Sequence, residues 1–134
     1  MRIVLDTNVL VSGIFFSGPP FAILDGWRRR RVELLFSSAI RQEYHATATH
    51  LAARFEGVDL ASWLAMLDAR ATLVDAPELD EQICTDAADD KFLACAIAGR
   101  CRTVVSGDRA LLRVSGWRGI TVLTPRQFLD YLPA

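Results

Sequence analysis

Four acidic positions have the residue types and spacing of an oxygen-only cation site: Asp6, Glu43, the adjacent pair Asp89-Asp90, and Asp108. Asp6 ends an apolar run (Ile3, Val4, Leu5), and Thr7-Asn8 and a second apolar run, Val9-Leu10-Val11, follow at once. A buried strand that stops on a carboxylate with apolar chain on both sides is poorly explained as a plain turn. Asp108 stands just past the strand-like TVVS of residues 103–106, and Asp90 opens the apolar KFLACAIA stretch. Glu43 has no cation three or four residues away to neutralise it, because positions 39, 40, 46 and 47 are Ala, Ile, Ala and Thr. Asp90 has none at 93 or 94. At a separation of about 4 Å and an effective dielectric of 20, each like-charge pair costs up to roughly 4 kcal/mol. A hard divalent cation removes that repulsion. With no paired His or Cys nearby, oxygen donors select Mg²⁺ or Mn²⁺ over zinc. An ion so held suits phosphoryl chemistry, where it polarises a phosphate and activates a water.

Each position also has a bland reading. An aspartate after a strand is often only a helix N-cap, and Ala110-Leu111-Leu112 behind Asp108 would accept one. Asp89 and Asp90 could simply complement a helix dipole. Glu43 alone reads as a solvated residue. Asp6 resists such an account, and it is the joint occurrence that points to a site.

The elements that must position these groups alternate between strand and helix. Strand-like runs fall at residues 2–5, 32–36, 72–74, 103–106 and 120–123. The 9–16 stretch leans to helix despite Ser12-Gly13. Residues 20–30 read as a helix opened by Pro19-Pro20, with Asp25 and Arg29 spaced to pair along its surface. Ser37-Ser38 offers an N-cap to a long helix running to about residue 56 and stopped by Gly57. Asp59 caps the next helix, with Leu60, Trp63, Leu64 and Leu67 as its apolar stripe. Residues 89–98 form a helix buried on most sides, ending at Gly99. Thr124-Pro125-Arg126-Gln127 is a capping box that opens a final helix at 125–132. Short, uniformly apolar strands between helices predict a parallel sheet covered on both faces. In such sheets ligands bind beyond the carboxyl ends of the strands, where Asp6 and Asp108 both fall.

Bulk properties bound the reading further. The chain has 134 residues, of which 51% are hydrophobic and 23% charged. That suits one folded domain, 1–134, and excludes a disordered chain. A net charge of −1 gives no global case for nucleic-acid binding, but a local basic face can coexist with an acidic site. Cys84, Cys95 and Cys101 are odd in number and form no CxxC, which argues against a disulfide framework or a zinc site. No apolar run reaches the eighteen or so residues of a membrane span, and no signal-peptide layout is present. These features predict a cytoplasmic protein without a membrane partner.

The segments VLDTNVLVS, DDKFLACA and VVSGDRALL, in this order and spacing, resemble the PIN domain, and more narrowly the VapC-like toxins of bacterial and archaeal toxin–antitoxin systems. The resemblance covers essentially the whole chain. It implies an α/β fold with three layers, α/β/α, around a five-stranded parallel sheet, and a Mg²⁺- or Mn²⁺-dependent ribonuclease. Carried over residue by residue, it makes Asp6 the first acid, Glu43 (in SSAIRQEY) the second, Asp90 the third and Asp108 the fourth. Ser106 falls where a Ser or Thr often stands two residues ahead of the last acid, and Asn8 where a polar residue braces the first. The subgroup usually has proline and another acid before the final acidic pair. Here Asp86 is followed by Ala87-Ala88, which leaves Asp89 either a supporting acid or only a cap.

On this reading the substrate is RNA, and the partners are an antitoxin protein and a second copy of the chain in a homodimer. The dense basic run at 28–31, with Arg28 and Arg29, is either the solvated end of a helix or a contact for RNA or an acidic antitoxin tail. Arg109 and Lys91 adjoin two of the acids and are candidates to touch phosphates. His45 and His50 have no catalytic role in such a mechanism. Two rival classes stand beside it: a nuclease of the same fold with a housekeeping RNA or DNA substrate, and a non-enzymatic α/β cation-binding or signalling module. The second rival calls for a lysine shortly after a late strand, whereas Lys91 is the sole lysine.

Overall fold

In the computed structural model, which describes residues 1–132, Ile3, Val4 and Leu5 are all fully buried. Successive strand residues point to opposite faces, so strand β1 (Arg2–Leu5) is covered on both sides. Four more strands join it: β2 (Glu33–Phe36), β3 (Thr72–Leu73), β4 (Thr103–Val105) and β5 (Thr121–Leu123). They form one sheet in the order β3-β2-β1-β4-β5, and every pairing is parallel. The chain thus winds one way through β2 and β3 and the other way through β4 and β5. The reversal falls between β1 and β4, the switch point outside which α/β sheets form their ligand crevice.

Register fixes what stands at that point. Val4 lies opposite Val104 and Leu5 opposite Val105, so Asp6 and Ser106 leave the sheet side by side. The ladder is extended by Asp6 N–H donating to the Val105 carbonyl at 2.9 Å.

Among the described residues six helices connect the strands and a seventh follows β5: α1 (Thr7–Phe15), α2 (Pro19–Arg28), α3 (Ser38–Ala52), α4 (Leu60–Arg70), α5 (Asp90–Ala98), α6 (Arg109–Leu112) and α7 (Pro125–Leu129). Helix α1 starts immediately after the strand, as the Val9 and Leu10 N–H groups donate to the Asp6 carbonyl at 3.0 and 3.2 Å. It meets α2 at 87°. Gly13 allows that close crossing: a Cβ there would stand 2.7 Å from Leu24 Cδ1 and 2.8 Å from the Pro20 carbonyl oxygen. No single helix among the described residues is long and apolar enough to cross a membrane. The three cysteines are free and buried.

The predicted caps at Ser37, Asp59 and Asp108 and the Thr124–Gln127 capping box are all present. Two helices are shorter than their sequence pattern. Helix α3 stops at Ala52, before Gly57, because Arg54 and Phe55 N–H turn back to Leu51 and Ala52 at 3.0 and 3.3 Å. The turn brings the Phe55 ring against Phe15 and Phe16, with centroids 5.8 and 5.1 Å apart. Helix α7 ends at Leu129 and passes into a turn.

Helices α2 and α5 end alike. Arg30 N–H donates to Trp27 O at 2.9 Å and Arg31 N–H to Gly26 O at 2.8 Å; Arg100 N–H donates to Ile97 O at 3.2 Å and Cys101 N–H to Ala96 O at 2.8 Å. This double bond pattern puts its central residue in the left-handed region, normally a glycine position. Here Arg30 and Arg100 occupy it, at φ 64° and 54°, which costs roughly 1–2 kcal/mol for each side-chain-bearing residue.

Candidate active site

Asp6 is buried, with 6% of its surface exposed, and its carboxylate makes no cap bond to α1. Its side-chain partner comes from the neighbouring strand end. Ser106, fully buried, donates from Oγ to Asp6 Oδ2 at 2.6 Å and accepts from the Asp108 N–H at 3.0 Å. One hydroxyl thereby couples the first and last acids of the set. Burial pushes the Asp6 carboxyl above its ordinary value; the Ser106 hydrogen bond opposes the rise, and the charges of Asp108 and Glu43 add to it. Asp108 caps α6 through Oδ1, which accepts from Ala110 N–H at 2.9 Å.

Of the two consecutive aspartates, Asp89, at the end of the 3-10 turn before α5, is the one whose carboxyl feels the charges of Asp108 and Asp6. Burial and the charges of Asp108, Asp6 and Asp86 push the Asp89 carboxyl up to about 6, and it makes no hydrogen bond to the helix it precedes. Asp86 caps the short 3-10 turn (Ala87–Asp89) through a bond from Ala88 N–H at 2.9 Å. Asp90, expected as the third acid, turns to the loop before that turn. Its oxygens accept from Ile83 N–H at 3.0 Å and Cys84 N–H at 2.7 Å. Burial alone would raise its carboxyl, but the two backbone donors outweigh burial and hold it below the usual value. The physical reason is local: the 83–84 backbone passes over the start of α5 with two donors to satisfy, and Asp90 is the carboxylate within reach.

Glu43 reaches the crevice from α3, and the two oxygens have different partners. Thr7 Oγ1 donates to Oε2, and Lys91 Nζ donates to Oε1 at 2.7 Å. Two sequence expectations change here. Glu43 is neutralised after all, by a cation 48 positions away on α5. Lys91 is correspondingly engaged and only 20% exposed, so it is not a free phosphate contact. Tyr44, next to Glu43, buries its ring and donates its hydroxyl to the Leu5 carbonyl, which ties α3 to the end of β1 one residue before Asp6. Neither Thr7 nor Tyr44 carried a sequence signal beyond position; both roles follow from α3 crossing the strand end.

Asn8 is exposed on α1, and the hydrogen bond expected from it to Asp6 is supplied by Ser106. Arg109 is exposed one residue beyond Asp108 and stands in no ion pair among the described residues. Arg28 and Arg29 lie outside the crevice, at the amino-terminal edge of the sheet, and both pair with Asp25 of their own helix, Arg29 at 3.0 Å. His45 meets Asp68 at 3.1 Å, in a surface network with Arg41.

The donor set fits a hard divalent cation by charge and by chemistry. Asp6, Asp89 and Asp108 are oxygen donors, the charge of Asp108 raises the proton affinity of both Asp6 and Asp89, and the one lysine nearby is taken by Glu43. Among the described residues no group of three or more His, Cys, Asp or Glu side chains stands close enough together to hold a metal ion.

The sequence matches the PIN domain over residues 2–110. No curated protein matches it. Among solved structures, the fold is similar to VapBC2 from Rickettsia felis bound to a DNA fragment from its promoter, with 17% identity, a TM-score of 0.56, and coverage of 92% of this chain and 97% of that one. It is similar also to FitAcB from Neisseria gonorrhoeae, with 19% identity, a TM-score of 0.54 and coverage of 92% and 98%. A third likeness is to FitAB bound to the IR36 DNA fragment, with 21% identity, a TM-score of 0.53 and coverage of 92% and 94%.

Proposed function

The chain belongs to the PIN domain family, a family of nucleases, and on that premise we propose that it is a Mg²⁺- or Mn²⁺-dependent endoribonuclease acting as the toxin of a toxin–antitoxin pair. The observation that carries the reading is the Asp6–Ser106–Asp108 relay together with Asp89. Asp6 and Asp108 leave adjacent strand ends at the switch point of a parallel sheet, their charges raise the Asp89 carboxyl, and among the described residues none of the three stands in an ion pair.

The roles of the chain's own residues follow from their bonds. Ser106 orients one oxygen of Asp6, the acid that would ligate from the end of β1. Asp89 and Asp108 supply further oxygen donors, and Asp108 keeps one oxygen beyond its cap bond. Thr7 and Lys91 hold Glu43 at the margin as a fourth carboxylate. Arg109 offers an exposed guanidinium to the phosphate being cut. When bound, the divalent ion supplies charge neutralisation at the phosphate and lowers the pKa of a water that serves as nucleophile. Asp90 supports the site only indirectly, by fixing the 83–84 loop.

The antitoxin partner is inferred from the resemblance to VapC-like toxins and from the fold's likeness to the VapBC2 and FitAB complexes. A homodimer belongs to the same reading and is checked by light scattering on the purified chain. The activity is tested with a fluorogenic RNA and Mg²⁺ or Mn²⁺. The parent should cut, EDTA should stop it, and Asp6→Asn and Asp89→Asn should each lose cleavage while keeping the parent's circular dichroism spectrum. An Asp6→Asn protein that cuts as fast as the parent sinks the proposal.

A further inference from the structure

We propose that the arginines at the amino-terminal ends of the strands form a second binding surface, for the phosphate backbone of RNA, on the edge of the sheet opposite the carboxylate crevice. Because every strand pairing is parallel, all five strands begin at one edge. Arg30 and Arg31 precede β2, Arg100 and Arg102 precede β4, and Arg118 precedes β5. Strands β2 and β4 flank β1, so the two leading pairs stand two strand spacings apart, about 10 Å.

Among the described residues, the non-glycine positions with positive φ are Arg30, Arg100 and Arg118. All three are arginines, all three are exposed, and all three lie at this edge. Glycine would relax the backbone at each. Two unrelated helix ends, those of α2 and α5, keep the same strained conformation and the same side chain. A requirement for the guanidinium explains that coincidence; a helix stop does not.

Among the described residues the charge here also lacks ion-pair partners. Arg30, Arg31, Arg100 and Arg102 stand in no ion pair among the described residues, while the nearby acids are taken, Glu33 by Arg2 at 3.5 Å and Asp25 by Arg28 and Arg29. A cavity of about 230 Å³ opens beside Arg30, Arg31 and Arg70. The planar fork of arginine matches phosphate in a bidentate fashion. An array spread over several strands, without converging on one point, fits a chain with a charge at every repeat better than a single anion. The electrostatic surface stands independently of the cleavage reading; only the choice of RNA as the nucleic acid rests on it.

The test uses the full chain in EDTA, with a fluorescein-labelled 2′-O-methyl RNA 20-mer followed by anisotropy across a salt series. Arg30→Gly/Arg100→Gly should bind at least tenfold more weakly. Its slope of log K against log salt should fall by about 1.4, for two phosphate contacts at about 0.7 each on a single strand, and its melting temperature should hold or rise. Arg31→Gln/Arg102→Gln, which alters no left-handed residue, should lose affinity too. The same parent protein serves the cleavage assay, so a failed cleavage assay with intact binding refutes the ribonuclease and leaves this surface standing. Parent-like binding by both double variants overturns the proposal. So does a parent that ignores the RNA and binds only duplex DNA or polyglutamate.

Discussion

Asp89 and Asp90 are consecutive in the chain and opposite in use. Asp89 keeps a raised carboxyl because burial and three other acids disfavour its charge, while Asp90 is held ionised by two backbone donors. Exchanging either for asparagine should separate them. Asp90→Asn removes a charge from two backbone hydrogen bonds and should cost about 1.5–3 kcal/mol in urea unfolding, with metal affinity by calorimetry nearly unchanged. Asp89→Asn should cost no stability and should weaken Mn²⁺ binding. The two also differ in pH dependence. In EDTA, the folded chain keeps the Asp89 proton to about pH 6, whereas the unfolded chain releases it near the ordinary 3.8. Between those values the folded state binds the extra proton, so stability is present at the acid end and is lost as pH rises towards 6. Asp89→Asn should therefore gain on the parent as pH goes from 4.5 to 7; an equal difference at both ends would contradict the assignment. Little of this was legible beforehand. Asp6, Ser106 and Asp108 could be read because each sits where a strand stops. Choosing between adjacent aspartates required knowing which side of the α5 start the 83–84 backbone crosses. The Glu43–Lys91 pair joins two helices that no local spacing relates.

At the level of elements, the site depends on how tightly α1 is pressed against α2, because α1 springs directly from the strand end that carries Asp6. Gly13 is the point of closest approach, and one of the atoms a Cβ would meet is a backbone oxygen that cannot move cheaply. Gly13→Ala should destabilise the protein by about 1–3 kcal/mol, read as a lower urea midpoint with an unchanged slope. The strands, caps and helix starts were readable in advance because each has a chemical signature in a few consecutive residues. Two helix ends were not. Helix α3 ends in a turn that packs Phe55 on Phe15 and Phe16, short of Gly57. The end of α5 was marked by Gly99, but the left-handed end of α2 had no signature, since arginine stands where a glycine or asparagine would mark it.

The whole molecule is a short parallel sheet with unlike ends. Carboxylates collect where the strands stop, and arginines that stand in no ion pair among the described residues where they start, a polarity hidden by a net charge of −1. Paramagnetic Mn²⁺ should therefore broaden the amide NMR signals around Asp6, Ser106 and Asp108 and spare those of Arg30 and Arg100; broadening at both ends would mean that the metal does not choose the crevice. The hydrogen bond that joins Ser106 to Asp6 spans 100 positions, and that distance has a meaning in time. Synthesis runs from Asp6 towards Ser106, so the first acid waits through a hundred residues of translation for the hydroxyl that aims it. Until β4 is made, β1 lacks one of its two neighbours and the crevice has one wall. The crevice is therefore completed only after synthesis has passed Asp108, and ribosome-arrested chains of increasing length should show a late, abrupt gain of protease resistance.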